Sequence, residues 1–339
     1  MRVFFSFLAI IISLSLFTKC ENIKSSDKKP DFDISIQRFE KELFSINPDE
    51  LTIQHLENLN TKYPDFYPLY VENILMATEK FEDYEVYLDL IQDFIGNKAV
   101  RGLYDSVMHY YPKIDDIEKE LSVSLSLFKR NFPKSNVPQV VTFISEFAHG
   151  AVTYNDVLGI GIDLYLGEQY PYYSNFFPQF MIRRLSKEFM TINAMQVMAT
   201  DLLPEPVQKN SLLDKMIFNG KILYFLEQTM PFKKKHDLIG YTEEQYKWCI
   251  ENEPHIWAYF IEHNLLFNNV LFEHQKYVTD GPFTIGMPDG APGKIAMWTG
   301  WQIVKAYMDK SSNTTLPQLF AEEDAHKILR VSKYKPRLK

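Results

Sequence analysis

With 339 residues, 46% of them apolar and 15% aromatic, the chain has enough material for a large buried core in one folded unit or two lobes. Its 44 acidic and 36 basic side chains give a formal charge of −8, which opposes binding to nucleic acid and to anionic lipid headgroups. Only two cysteines, Cys20 and Cys249, are present, which excludes a disulfide-stapled scaffold.

The chain opens with Arg2 and an unbroken run of apolar and small residues from Val3 to Phe17, followed by Thr18-Lys19-Cys20. The run is short of the roughly 20 residues that span a hydrocarbon core. One cation ahead of about 7–15 apolar residues is an export pattern; an uncleaved short anchor is the alternative. Residues 1–19 are therefore predicted to be a signal peptide and Cys20 the residue that carries the lipid, its thiol taking a diacylglyceryl and palmitate-type anchor. Lys19 departs from the small residue usual before such a cysteine, and a free or buried thiol is the alternative for Cys20. With Cys20 acylated, Cys249 has no disulfide partner and reads as a small buried hydrophobe. Residues 20–32 are polar and aperiodic, a tether. Losing Arg2 and Lys19 with the leader makes the mature chain two charges more negative, so the lipid must supply the membrane affinity.

The segment 33–44 reads as a strand turning into a helix, with Ile36, Phe39 and Phe44 set among charges. Pro48-Asp49-Glu50 opens a second helix, marked by Leu51, His55, Leu56 and Leu59. Tyr63-Pro-Asp-Phe-Tyr-Pro68 breaks it, and helical patterns return over 70–80, 82–95 and 115–132, all to be packed by large aromatics. At Pro133 the texture changes. Residues 137–145 and 157–166 are β-branched and alternating, and are predicted to be neighbouring strands in one small antiparallel sheet. Helices follow over 180–200, 212–229, 243–251, 254–272, 294–309 and 316–330. The fold class is thus α+β, predominantly α-helical, with residues 33–339 forming a single domain, divisible at most into lobes 33–132 and 133–339.

Strong catalytic signals are missing from the sequence. There is no HExxH among the eight histidines and no Cys-His cluster with zinc spacing. His255 and His263, near Glu253, Glu262, Glu273 and His274, lie about 12 Å apart along a helix, too far to share one ion by themselves. There is no GxSxG; Ser145-Glu146, and Ser186 beside Arg183 and Glu188, read as ordinary surface pairings. Gly159 and Gly161 fall inside a strand without the third glycine of a phosphate-binding loop, and Lys233-Lys234-Lys235 reads as a solvated turn. No metal, cofactor or catalytic residue is assigned, and the chain is expected not to be an enzyme. The aromatic stretch 170–180 reads as a lid over the core or as stacking faces for a sugar or a partner.

Residues 279–293 hold four glycines and three prolines, the composition of an ordered loop that turns several times. Such a loop binds without a large ordering cost. Met287 and Asp289 at its tip are the candidate partner-binding residues, and Trp298 and Trp301 on the helix behind are expected to share a face, with at least one tying the loop to the core. A purely structural block is the alternative.

The stretch Ala291-Pro-Gly-Lys-Ile-Ala-Met-Trp-Thr-Gly-Trp-Gln-Ile-Val-Lys-Ala-Tyr-Met308 closely resembles the GldB-like gliding-motility lipoproteins of Bacteroidetes. Ile36-Gln-Arg-Phe-Glu-Lys-Glu-Leu-Phe44, Tyr63-Pro-Asp-Phe66, the segment 257–266, Lys327-Ile-Leu329 and the tail 332–336 agree in order and spacing. The resemblance implies a membrane lipoprotein of the cell envelope, folded outside the cytoplasm, that works with other motility or secretion proteins and carries no assigned activity. The layout also resembles a zinc-peptidase family, so a degenerate zinc-peptidase-like core is a further expectation. In that layout the zinc helix is 182–200, where Thr191-Ile-Asn-Ala-Met-Gln-Val-Met198 has no imidazole or carboxylate. A peptidase-like hydrolase and a sugar- or peptide-binding lipoprotein are the alternative functions.

Overall fold

The computed structural model describes residues 29–75, 84–204 and 211–337. The expected leader, Cys20, most of the tether and part of the helices expected over 70–80 and 82–95 lie outside them. Strand β1 (Ile36–Arg38) runs directly into helix α1 (Phe39–Ser45), the strand-to-helix turn expected there. Helix α2 (Ile53–Lys62) follows, its start fixed by Thr52 N–H donating to His55 Nδ1 at 3.2 Å. Helix α3 (Phe66–Leu69) and a π-type turn (Tyr70–Ile74) occupy the expected break and its sequel. Then come α4 (Tyr84–Gly96), α5 (Lys98–Tyr110) and α6 (Asp115–Asn131). The sequence reading missed α5, although its cap is plain: Asn97 Oδ1 accepts Ala99 N–H at 2.8 Å and Val100 N–H at 3.4 Å.

The sheet corrects the expectation of an antiparallel pair. It is mixed and four-stranded, in the order β1-β2-β4-β3, with β2 (Gln139–Phe143), β3 (Ala151–Tyr154) and β4 (Val157–Gly161). The two expected strands are neighbours but parallel, Val140 opposite Leu158 and Thr142 opposite Ile160. Strand β3 forms the antiparallel hairpin with β4 and so lets β4 run back alongside β2 in the same direction. Strand β1 adds to the other side of β2, Ile36 opposite Val140, again parallel. A strand covered on both faces reads as a continuous apolar run, and all of β4 is buried.

Helices α7 (Gln179–Ile182) and α8 (Lys187–Asp201) divide the single helix expected over 180–200. Helix α9 (Leu212–Thr229) matches its expected span, and Ser211 and Asp214 cap each other at its start. After α10 (Lys235–Ile239) and α11 (Glu243–Glu251), the helix expected over 254–272 is two, α12 (Glu253–Glu262) and α13 (Leu271–Val278). The break includes Asn264 at φ 52°. Helix α14 (Ile295–Lys310) is followed by α15 (Leu316–Ala321) and α16 (Ala325–Ser332), again two helices where one was expected.

Two aromatic clusters anchor the core. Phe39 packs edge-on against Tyr63, Phe66 and Tyr70 at centroid distances of 5.2, 5.1 and 4.8 Å, and Tyr70 reaches Phe143 of the sheet at 6.1 Å. Phe128, Phe132, Phe225 and Phe320 join α6, α9 and α15. A polar knot is buried as well: Glu40 pairs with Arg38 and accepts Thr142 Oγ1–H at 2.8 Å. Helices α9 and α14 cross backbone to backbone at Gly220 and Gly300. Among the described residues no helix is long and apolar enough to cross a membrane.

Candidate functional site

The 279–293 loop is closed by its own hydrogen bonds. Thr284 N–H donates to Ala291 O at 2.9 Å and its hydroxyl to Pro292 O at 2.5 Å; Ala291 N–H donates to Pro288 O at 3.1 Å. Lys294 N–H donates to Thr279 O at 3.1 Å and brings the two ends together. At that neck the backbones of Gly281 and Gly293 touch: a Cβ on Gly293 would lie 2.5 Å from Gly281 O and 2.6 Å from Gly281 N, so no other residue fits without moving the neck. Tyr241 OH donates to Gly293 O at 2.6 Å and ties the neck to the core.

Thr284 and Ala291 are buried inside the loop, while Phe283 and Ile285 on either side of Thr284 are 62% and 66% exposed. Met287 is half-buried and, with Pro288, walls a shallow groove of about 250 Å³ whose other side is Trp248, Asn252, His255, Tyr259 and Glu262. Asp289 lies exposed on the loop's outer side. The two predicted residues therefore share the loop but not the groove. Phe283 and Ile285 were missed; their signal was the alternation of apolar residues about Thr284. Trp298 and Trp301 are both buried, and Trp301 Nε1–H donates to Glu227 at 3.0 Å. The tryptophan in contact with the loop at Gly290 is Trp248 of α11.

A cleft of about 290 Å³ opens at the loop's base, its polar lining Asp280, Lys294, Arg184, Asn193, Gln196 and Asn219 and its apolar walls including Phe189, Ile192, Leu223 and Met297. Asp280 pairs with Arg184, and Lys294 Nζ lies 3.6 Å from Asp280 Oδ1 while donating to Ile239 O at 3.0 Å. The Lys294 side chain is only 13% exposed. Burial, helped by the charge of Arg184 and opposed by Asp280, pulls its pKa down to about 8. Arg183 sits 3.5 Å from Asp237 and donates to Gly240 O and Tyr241 O. Within the cleft Asp237 and Asp280 balance Arg184 and Lys294, and both cations already have a partner in Asp280.

Nothing here supports the expected zinc-peptidase-like core. Helix α8 does pack beside the sheet, yet among the described residues no three His, Cys, Asp or Glu side chains are placed to hold a metal ion. His263 Nδ1 pairs with Tyr259 O at 2.9 Å within its own helix turn. Cys249 is fully buried, as expected, and burial pushes its thiol pKa well up. Ser145 departs from the surface reading: it is buried, and its N–H points at the carboxylate of Asp163.

Comparison with known proteins gives one family match that covers nearly the whole chain: the family described as gliding motility protein GldB matches residues 19–336. An uncharacterized protein of Buchnera aphidicola (subsp. Acyrthosiphon pisum, strain APS) is 25% identical over 274 residues, which are 74% of this chain and 26% of that protein. The chain therefore spans about a quarter of the length of that relative. No solved structure matches the chain.

Proposed function

Because the chain belongs to the GldB gliding-motility family, we propose that it acts as a lipid-anchored envelope protein that docks another motility or secretion component through its 279–293 loop, without catalysing a reaction. Association with gliding motility follows from the family itself; the anchor at Cys20, the docking role and the absence of catalysis are the proposal. The observation that carries it is the loop: a closed, hydrogen-bonded frame that holds Phe283 and Ile285 out in solvent beside the Met287 groove. Side chains held exposed by a rigid frame lose little entropy on binding, the condition for an anchor residue at an interface.

The test has two arms. Phe283→Ser with Ile285→Ser, and separately Met287→Ser with Asp289→Lys, should leave the melting temperature of the purified domain unchanged and abolish gliding in cells. A photo-crosslinker at position 285 should capture a protein from intact membranes. Normal gliding in both pairs removes the loop as the docking surface; a melting temperature that collapses along with gliding makes the loop structural. Cys20→Ser should shift the protein from the membrane to the soluble fraction and end labelling by a lipid precursor, and unchanged partitioning would exclude the anchor.

A further inference from the structure

A third cavity, which shares no residue with the loop, its groove or its cleft, lies between α5 and the segments 146–147 and 170–176. Its volume is about 410 Å³, and its walls are Lys98, Val100, Gly102, Leu103 and Ser106 on one side and Glu146, Phe147, Tyr170, Tyr172 and Phe176 on the other. We propose that this cavity binds a neutral saccharide of two or three rings.

Three features point there. The first is Gly102, inside helix α5. A glycine in a helix costs stability relative to alanine, and at Gly220 and Gly300 a neighbouring backbone pressed against the glycine explains it. A Cβ on Gly102 would meet nothing within 4 Å. It would only fill space on the cavity wall, so the glycine leaves room for something to approach the helix backbone.

The second is the opposite wall, which is held in place at a cost. Glu146 and Phe147 are consecutive non-glycine residues with positive φ, 54° and 69°, a backbone conformation that persists only when its surroundings impose it. The imposing group is the fully buried Asp163 carboxylate, which accepts the N–H of Phe147 at 2.7 Å and that of Ser145 at 3.3 Å. The outcome is that Glu146 and the Phe147 ring line the cavity.

The third is the chemistry of the lining. Tyr172 and Phe176 are 57% and 63% exposed. Phe147 meets Tyr170 and Phe176, and Tyr170 meets Tyr172, only in tilted or edge-on arrangements. Their faces are thus not stacked on one another, and the C–H face of a pyranose packs on such a face. Beside the rings stand a hydroxyl (Ser106 Oγ, 3.3 Å from Tyr170 OH), a carboxylate (Glu146) and an ammonium (Lys98). Ser106 Oγ already donates to Gly102 O at 2.8 Å; the exposed Lys98 and Glu146 at the rim offer a donor and an acceptor that sugar hydroxyls, which both donate and accept, can use and an acyl chain cannot. One acid and one base among the lining residues leave the site formally neutral, which favours an uncharged ligand. The volume falls in the range of small-molecule sites, about 300–1,000 Å³.

The experiment is calorimetric titration of the full mature chain with cellotriose, maltotriose and triacetylchitotriose, each to about 10 mM, and with a palmitate suspension as the competing chemistry. At least one saccharide should bind saturably. Tyr172→Ala and Phe176→Ala, both surface changes, should each weaken it about three- to tenfold. Gly102→Ala should weaken it while raising the melting temperature by about 1–2 °C, a combination that a purely structural glycine would not give. Binding of palmitate alone, titration of none of the three sugars, or sugar binding indifferent to all three substitutions would each overturn the proposal.

Discussion

Replacing Gly300 with alanine tests the way the molecule is held together. Gly300 lies on α14 where that helix crosses α9. A Cβ there would sit 1.8 Å from Met216 O and 2.4 Å from Met216 C, and reciprocally a Cβ on Gly220 would sit 2.4 Å from Gly300 O. Carbon and oxygen normally approach no closer than about 3.3 Å, so the helices must part by about 1.5 Å. A gap of about 0.5–1 Å already forfeits a quarter to a half of each dispersion contact. Helix α14 buries Ile295, Trp298, Trp301, Ile303 and Val304, so many contacts loosen together. Against this stands a helix-propensity gain of about 1 kcal/mol for alanine over glycine. Overpacking costs about 1–3 kcal/mol and more where backbone must move, so a net loss of about 3 kcal/mol is expected. Urea denaturation followed by circular dichroism measures it, with Gly102→Ala as the opposite-sign control. A Gly300→Ala midpoint at or above that of the unsubstituted protein would refute the backbone-contact argument.

Asp163 predicts a pH dependence. Burial pushes its pKa up to about 7, against the pull of the Phe147 and Ser145 N–H groups, so the folded state holds a proton that the unfolded state releases near pH 4. Its contribution to stability is therefore fully present below about pH 4 and is lost as pH rises through about 7, amounting to at most a few kcal/mol. Asp163→Asn should flatten that slope between about pH 4 and 7 in urea titrations; a slope unchanged from the parent would assign the pH dependence elsewhere. Glu40→Ala strands the Arg38 guanidinium, whose side chain is only 11% exposed, and should cost about 3–5 kcal/mol. Glu40→Gln, which keeps an acceptor for Thr142, should cost less, and a loss of under about 1 kcal/mol for the alanine variant would mean that the pair contributes little.

Much of the helical framework was legible because its signals are local. Ser211 with Asp214 and Thr242 with Gln245 form reciprocal caps, and α9 and α11 begin where those pairs place them. Local signals also mislead: apolar residues such as Phe267 and Val270 continue a helical pattern across the break after His263, and only the positive φ of Asn264 shows the chain turning. Alternation identified two strands but carries no direction, so parallel pairing of β2 with β4 was beyond it; that pairing depends on where β3 returns. In the loop, glycines and prolines foretold order, while the exposure of Phe283 and Ile285 follows from burying Thr284 against Pro292. Asp163 gave no sign in the sequence, because an aspartate becomes a buried clamp only through what the fold packs around it.

Two of the helical glycines, Gly102 and Gly300, mark the division most clearly. Composition, periodicity and capping determine that α5 and α14 are helices, since each depends on residues within a few positions of one another. Whether a glycine in such a helix is a contact or a vacancy depends on what lies across from it. Gly300 meets the backbone of α9 and Gly102 meets open space, a difference set by residues distant in sequence that only the tertiary structure brings near or keeps away.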